Sequence, residues 1–149
     1  MRAVVQRVAT ASVAVDQKTV GKIEKGLLVY LGIGEDDAQV DFDYLLKKIT
    51  GLRIFADTRG NMNLSVKDIQ GHILLVSQFT LYGDARKGKR PSFSTAIAPE
   101  KANVVYRSFA EAIRKEGISC EEGVFGAMMD VSSVNDGPVT ILLDSQKRF

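Results

Sequence analysis

The chain has 149 residues, 45% of them apolar and 26% charged, which fits one compact domain over residues 1–149 and excludes long disordered segments. The 20 basic and 18 acidic residues leave a formal net charge of +2, which excludes a histone-like polycation. With one cysteine and one histidine, the chain cannot form an internal disulfide, a cysteine-rich zinc site or a multi-histidine metal centre.

We expect a cytoplasmic protein that works without a cofactor. No apolar run approaches the roughly 18 residues of a membrane-spanning helix. Polar residues interrupt the first segment, so it does not resemble a signal peptide. A single cysteine is typical of a reducing compartment. Any chemistry must therefore proceed without a histidine cluster or a thiol pair.

The first third of the chain predicts a hairpin, a buried strand and a helix. Segments 2–8 and 11–15 are rich in Val and Ala and predict two strands, and residues 16–18 supply a turn. The nearly continuous apolar run 27–33 is typical of a strand buried on both faces. Acidic residues followed by apolar positions at helical spacing predict a helix over roughly 37–50, because carboxylates favour the positive end of a helix.

The rest of the chain predicts one more helix among several strands. The helix begins at Pro99, where a missing N–H is harmless, and ends before Gly117, which stands where glycine commonly follows a last turn. The predicted strands are 52–55, 73–83, 118–129, 130–134 and 138–144, with a turn at 57–61. Two helices that do not alternate regularly with the strands predict an α+β fold with a curved, barrel-like, mostly antiparallel sheet. The edges of such a sheet must be closed, covered or paired with another subunit.

A basic loop follows the predicted strand 73–83. Residues 84–91 contain one acid, a glycine, a proline and four basic residues, Arg86, Lys87, Lys89 and Arg90. The simplest interpretation is a charged surface loop. The alternative is a phosphate-binding loop, because it directly follows a strand that ends in a polar cluster.

That polar cluster is Ser77-Gln78-Phe79-Thr80. Its simplest interpretation is an ordinary strand end, since Thr and Phe favour strands. If it is functional, Thr80 is a nucleophile or a hydrogen-bond donor, and nearby backbone N–H groups hold an oxyanion. In a regular strand His72 is about 26 Å from Thr80, too far to act as its base, and we expect a structural histidine.

A second candidate segment, Asn135-Asp136-Gly137-Pro138-Val139-Thr140, leads into the last predicted strand. By itself it is typical of a plain turn. We expect Cys120 to be a small buried apolar side chain and Met128 and Met129 to line the core or a pocket. The spacing of Asp130, Asp136 and Asp144 is not that of a metal-binding loop.

Together, the two candidate segments resemble the paired signature of the D-aminoacyl-tRNA deacylase family. The similarity extends over the whole chain, from the opening Met1-Arg2-Ala3-Val4-Val5-Gln6-Arg7-Val8 through the basic loop to the final strand. It implies a homodimer that hydrolyses the ester between a D-amino acid and the terminal ribose of tRNA. The products would be the free D-amino acid and free tRNA.

The resemblance also implies roles for individual residues. Ser77, Gln78, Phe79 and Thr80 would line the catalytic pocket, and a cis Gly137-Pro138 peptide would enter the active site of the other subunit. Arg7 would support that peptide, with Asn135, Thr140, Met129 and Phe125 as further supporting residues. Arg86, Lys87, Lys89 and Arg90 would bind tRNA.

A main-chain filter of this kind suits the chemical problem. The enzyme must distinguish D- from L-amino acids whatever their side chain. A rigid backbone segment beside the α-carbon can do this, because the side chain of an L-residue would clash with it. Glycine has no side chain to clash, and we therefore expect some activity on glycyl-tRNA.

Two mechanisms and two other functions stay open on the sequence alone. Backbone N–H groups near Phe79 and Thr80 can stabilise the oxyanion while the ribose 2′-hydroxyl orients the attacking water, or Thr80 can act as a covalent nucleophile. The alternative functions are a general D-amino acid esterase that uses Thr80, and a non-catalytic nucleic-acid-binding module that binds through residues 84–91.

Overall fold

A computed structural model describes residues 1–148 of the chain. It contains eight strands, two α-helices and one short 3₁₀ turn within that range. The strands are β1 (Arg2–Val15), β2 (Lys18–Ile23), β3 (Gly26–Gly32), β4 (Phe55–Ala56), β5 (Met62–Leu64), β6 (His72–Ser77), β7 (Ser119–Glu122) and β8 (Asp130–Asp144). The helices are α1 (Gln39–Gly51) and α2 (Pro99–Lys115), and the 3₁₀ turn is Phe79–Tyr82.

Strand β1 organises a six-stranded mixed sheet. It pairs antiparallel with β8 along one side and with β3 and then β2 along the other. Strand β6 continues the sheet in parallel with β3, and β7 in parallel with β6. The two ends of the sheet, β2 and β7, approach each other. A Cβ placed at Gly21 in β2 would lie only 2.7 Å from the carbonyl oxygen of Glu122 in β7. The predicted α+β fold with a barrel-like sheet is confirmed, and the sheet is mixed.

Apolar side chains lie on both faces of the central strands. On one face, Leu27, Val29 and Leu31 of β3 pack in a large core with residues of both helices, including Leu45 and Phe109. On the other face, a second cluster fills the inside of the curved sheet; it comprises Val8, Ala11, Val13, Ile23, Leu28, Leu74 and Val76. This double burial explains the nearly continuous apolar runs of β3 and β6.

Several predicted elements are confirmed with new boundaries. Segments 2–8 and 11–15 form the single strand β1, and 130–134 and 138–144 form the single strand β8. The predicted turn at 16–18 joins β1 to β2, with Asp16 and Gln17 at φ values of 49° and 63°. The helix predicted over 37–50 is α1, and Gly117 follows α2 with a φ of 81°. Neither helix in residues 1–148 has the length and apolar character needed to cross a membrane.

Three strand predictions were too long. Segment 52–55 contributes only the start of β4, and 118–129 contributes only β7. The strand predicted over 73–83 ends at Ser77, because its partner β3 ends at Gly32 and Leu31↔Ser77 is the last pair. Gln78 N–H then donates to the Leu31 carbonyl at 2.8 Å, and the chain turns into the 3₁₀ segment. This change of direction creates the candidate site.

Candidate active site

A cavity of about 740 Å³ lies where β3 and β6 end and α2 begins. Its walls come from four parts of the chain: these strand ends, the 3₁₀ turn, the segment from Phe93 to Ala102, and the segment 125–131. The walls include Ser77, Gln78, Phe79, Thr80, Phe125, Met128 and Met129. Six of the residues predicted from the sequence to form or support the site therefore meet around one cavity: Ser77, Gln78, Phe79, Thr80, Phe125 and Met129.

The 3₁₀ turn contributes Phe79 and Thr80 to the wall of this cavity. Within it, Leu81 N–H donates to the Gln78 carbonyl at 3.3 Å, and Gly83 N–H donates to the Thr80 carbonyl at 2.9 Å. Phe79 and Thr80 precede the first of these bonds, and the first N–H groups of such a turn have no partner within it. The N–H groups of Phe79 and Thr80 therefore have no partner inside the turn.

Thr80 has an amide neighbour and no base. The Gln78 side-chain amide donates a hydrogen bond to Thr80 Oγ1. In residues 1–148, no acidic, basic, histidine, tyrosine or cysteine side chain lines the cavity. An amide N–H cannot remove a proton from the hydroxyl, so these residues do not form an activated-nucleophile arrangement.

His72 and Cys120 lie outside the cavity, as expected from the sequence. His72 begins β6, whereas the polar cluster begins at its other end. Cys120 is buried, and burial raises the pKa of its thiol to about 12, so the thiol stays protonated at neutral pH. Neither residue contributes a base or a nucleophile to the cavity.

Sequence reasoning did not include Phe93 or the first turn of α2 among the residues of the site. Phe93 lines the cavity and its ring packs edge-on against that of Phe79, with 5.1 Å between centroids. Ile97 and Ala102 complete the same wall. The available signal was the Phe93 side chain among polar residues just after the basic loop, but nothing local indicates which distant aromatic ring it contacts.

The Gly137-Pro138 segment forms a protrusion from β8. Gln6 pairs with Thr140 and Val8 with Asn135, so residues 136–139 stand opposite the single residue Arg7. Gly137 has a φ of 114°, a left-handed value that favours glycine. Gly137 and Pro138 are both exposed, and neither lines the cavity.

Arg7 contacts this protrusion from beneath. Its guanidinium donates to the carbonyl of Asp136 at 3.2 Å and to that of Ile54 at 2.5 Å. It also pairs with the Asp136 carboxylate at 3.2 Å. A Cβ placed at Gly137 would lie 2.6 Å from Arg7 Nη2, so the glycine permits this close approach.

Asn135 closes the protrusion at its base. Its side-chain oxygen accepts the Val139 N–H at 3.1 Å, and its side-chain nitrogen donates to Thr140 Oγ1 at 3.0 Å. Arg7, Asn135 and Thr140 are thus together, but they are apart from the cavity of the same chain.

The expectation of a cis bond before Pro138 is wrong for this structure. Residues 1–148 contain no cis peptide bond. The trans form is favoured by about 0.5–1 kcal/mol before proline. The segment instead has a left-handed φ at Gly137 and four residues, 136–139, opposite the single residue Arg7.

The basic loop extends from the 3₁₀ turn to Phe93. Asp84 and Ser92 close it with two main-chain hydrogen bonds of 2.8 and 2.9 Å. Arg86 is exposed and donates to the Asp84 carboxylate, which lowers the pKa of that carboxyl to about 2. The exposed basic side chains of this loop that form no ion pair within residues 1–148 are Lys87, Lys89 and Arg90.

The fold and the cavity define a class of protein in which a 3₁₀ turn with a hydroxyl and an amide side chain lines a cavity beside a basic loop. The family model described as D-Tyr-tRNA(Tyr) deacylase matches residues 4–144. The chain is 59% identical over 149 residues to a D-aminoacyl-tRNA deacylase of Thermotoga petrophila and 61% identical over 149 residues to one of Koribacter versatilis. Both alignments cover 100% of each chain. The chain therefore belongs to the D-aminoacyl-tRNA deacylase family and is an enzyme of that class.

Two solved structures are similar to this one. One, a c-Myc DNA Unwinding Element Binding Protein, has a TM-score of 0.91 and 44% identity, covering 97% of this chain and 98% of its own. The other, a probable eukaryotic D-amino acid tRNA deacylase, has a TM-score of 0.78 and 19% identity, covering 95% of this chain and 97% of its own. The second similarity concerns the fold alone.

Proposed function

We propose that this enzyme hydrolyses the ester bond of D-aminoacyl-tRNA and releases the D-amino acid and free tRNA. The observation that carries the proposal is a cavity lined by Phe79 and Thr80, the first residues of the 3₁₀ turn, directly before a loop with four basic side chains. The N–H groups at the start of the turn suit a carbonyl that becomes an oxyanion, and the basic loop suits the phosphodiester backbone of tRNA. The names of the two relatives described above support the same substrate.

Oxyanion stabilisation is the proposed source of the rate. The N–H groups of Phe79 and Thr80 hold the carbonyl oxygen as the ester becomes tetrahedral, and one such donor typically contributes about 10²–10³-fold. Since no ionisable side chain lines the cavity within residues 1–148, the ribose 2′-hydroxyl orients the attacking water. The substrate ester is already activated, and no cofactor is needed for this step.

A covalent role for Thr80 has less support. A nucleophilic hydroxyl needs a neighbouring base, whereas Thr80 Oγ1 accepts a hydrogen bond from the Gln78 amide. In this proposal the side chains of Gln78 and Thr80 stabilise the turn and contact the substrate. Ser77 lies beside them at the end of β6.

We also propose that two copies of the chain share the site. The Gly137-Pro138 protrusion is exposed and is apart from the cavity of its own chain. Strand β8, which carries it, pairs only with β1 within residues 1–148 and exposes Val134 and Leu142 at 59% and 58%. An open edge with apolar side chains suits pairing with a second copy, which would bring the partner's protrusion to the cavity.

In that arrangement the protrusion serves as the filter for handedness. Arg7 and Asn135 fix its backbone, and Gly137 offers no side chain that would prevent close approach to the α-carbon. An L-residue then directs its side chain into main-chain atoms, whereas glycine meets no obstacle. Glycyl-tRNA should therefore be hydrolysed at sufficient enzyme, and its complete resistance alongside normal hydrolysis of D-aminoacyl-tRNA would contradict the steric filter.

The basic loop is the proposed tRNA contact. Lys87, Lys89 and Arg90 form no ion pair within residues 1–148, and Arg86 is held by Asp84, so the loop has charge to offer to phosphates. A tRNA substrate supports the expected location in the cytoplasm.

The decisive experiment is a deacylation assay on matched D- and L-aminoacyl-tRNA with the same tRNA and side chain. The proposal expects rapid release of the D-amino acid and little release of the L-amino acid. Equal rates for tRNA-free D-amino acid esters would instead indicate a general esterase.

A second candidate function is binding to nucleic acid without cleavage. The similar structure at 44% identity is that of a protein named for DNA binding, and the loop of residues 84–91 is basic. Salt-sensitive binding of DNA with no ester hydrolysis of D-aminoacyl-tRNA would favour this function.

A further inference from the structure

We propose that Arg2 is a positioning residue for hydrolysis, which rests on the proposed role of the 3₁₀ turn as the oxyanion site. Arg2 lies in β1 and does not line the cavity. Its Nη1 donates to the carbonyl oxygen of Leu81 at 2.9 Å. Leu81 directly follows Thr80, so this bond acts on the main chain next to the proposed donors.

The sheet holds the arginine itself in place. Arg2 of β1 stands opposite Asp144 of β8, and its Nε donates to Asp144 Oδ2 at 3.1 Å. Asp144 is only 5% exposed, and its other carboxylate oxygen accepts the Gln146 N–H at 2.7 Å. The guanidinium thus has a fixed orientation, and its charge is paired with a buried carboxylate.

Arg2 also packs against the end of the turn. Its guanidinium carbon lies 4.6 Å from the centroid of the Tyr82 ring, and the Tyr82 hydroxyl donates to Asp37 Oδ2 at 3.0 Å. A Cβ placed at Gly34, just after β3, would lie 2.6 Å from that ring. The absence of a side chain at Gly34 therefore lets the ring pack against the main chain. The second half of the turn is therefore held by charge and packing.

The first half of the turn is held differently. Gln78 N–H donates to the Leu31 carbonyl at 2.8 Å, and the Phe79 ring packs edge-on against that of Phe93. The two halves are joined, because Leu81 N–H donates to the Gln78 carbonyl and Gly83 N–H donates to the Thr80 carbonyl. A shift of the Leu81 carbonyl, which Arg2 binds, therefore also moves the Thr80 peptide. A misplacement of about 1 Å in such a site can cost about 10²-fold in rate.

This role predicts a change in turnover with little change in binding. Because the oxyanion exists only near the transition state, loss of its alignment lowers kcat and leaves KM nearly unchanged. A merely structural arginine would lower the melting temperature and leave kcat unchanged at temperatures where the protein stays folded.

Arg114 provides a matched control. It too joins a main-chain carbonyl to a carboxylate, donating to Cys120 O at 2.7 Å and to Glu122 Oε1 at 2.6 Å. It connects α2 to β7 and does not contact the 3₁₀ turn or the cavity. Arg114→Met removes a similar pair of bonds from another part of the molecule.

The experiment compares Arg2→Met, Arg2→Lys and Arg114→Met in steady-state deacylation over a range of D-aminoacyl-tRNA concentrations, with melting temperatures measured in parallel. We expect Arg2→Met to lower kcat about 10- to 100-fold with KM changed less than about threefold. Arg2→Lys should recover part of the rate, because the ammonium can still reach one oxygen. Arg114→Met should lower the melting temperature and retain kcat.

An unchanged kcat in folded Arg2→Met would overturn the proposal, as would an equal fall in Arg114→Met. If Arg2→Met does not fold, Asp144→Asn weakens the same pair with little change of shape, and we expect it to lower kcat about threefold or more. An unchanged kcat in Asp144→Asn would then count against the proposal. Wild-type enzyme that fails to hydrolyse D-aminoacyl-tRNA would contradict the proposed function instead.

Discussion

The 3₁₀ turn and the Gly137-Pro138 protrusion illustrate two ways to build a functional segment. The turn lies against the cavity of its own chain, where Phe79 contacts Phe93 and Leu81 accepts a hydrogen bond from Arg2. The protrusion is also supported, by Arg7 and Asn135, but it is exposed and does not line that cavity. A well-supported segment that does not line the cavity of its own chain suits a role in the cavity of a second copy. The following changes test this difference.

The largest effect is expected from removal of a single main-chain donor in the turn. Phe79→Pro removes the N–H at the first position of the 3₁₀ turn, where the φ of proline fits and the preceding Gln78 is already outside the helical region. We expect its rate to fall about 10²–10³-fold below that of Phe79→Ala. Single-turnover deacylation measures both.

Phe79→Ala serves as the control because it loses the ring and keeps the N–H group. Equal activity of the two variants would show that the Phe79 N–H group does not stabilise the oxyanion. Circular dichroism confirms that both variants remain folded.

The protrusion should show a somewhat smaller effect. Gly137→Ala introduces a Cβ at 2.6 Å from Arg7 Nη2, at a φ of 114° that L-residues rarely adopt. We expect activity to fall about 10- to 100-fold as the protrusion shifts, at a stability cost of about 1–3 kcal/mol. Deacylation and urea unfolding measure the two effects.

Mixing two impaired variants tests whether two chains share each site. Gly137→Ala and Phe79→Pro, refolded together, can form a mixed dimer in which one site has an intact turn and an intact partner protrusion. Recovered activity above that of either variant supports the shared site. A mixture no more active than its components, with mixed dimers demonstrated, contradicts it.

The basic loop should affect binding more than turnover. Replacement of Lys87, Lys89 and Arg90 by Ala removes up to three phosphate contacts, and we expect KM to rise about tenfold and the salt dependence of binding to weaken. Replacement of Lys18, Lys22 and Lys25 by Ala, in and beside β2, removes the same number of charges and is the control for net charge. An equal rise in KM in the control would mean that the loop is not the tRNA contact.

The smallest effect is expected from the Thr80 hydroxyl. Thr80→Ala keeps the main-chain N–H and loses only the side-chain bond to Gln78, so we expect turnover within about threefold of wild type. Rapid-quench kinetics checks this outcome. Loss of turnover together with a trapped acyl-enzyme in wild type would establish the covalent mechanism.

Much of the fold was predictable because its signals are local. The apolar run 27–33 and the Pro99 and Gly117 positions predicted β3 and α2 correctly, since burial on two faces and helix-end chemistry leave direct marks on a sequence. The strand predicted over 73–83 was too long, because the end of β6 depends on the end of its distant partner β3. The predicted cis bond at Pro138 was wrong, and nothing in the local sequence distinguishes it from the trans bond, which is favoured before most prolines.

The sequence by itself determined which polar residues could matter: the cluster 77–80, the segment 135–140 and the loop 84–91 all have compositions that stand out from their surroundings. Only the tertiary structure decided their arrangement. It brought Phe93 and Phe125 to the 77–80 cluster, placed Arg2 beneath the turn, and left Gly137 and Pro138 apart from the cavity. The reason is physical: residue chemistry is encoded position by position, whereas proximity results from strand pairing and packing between distant segments.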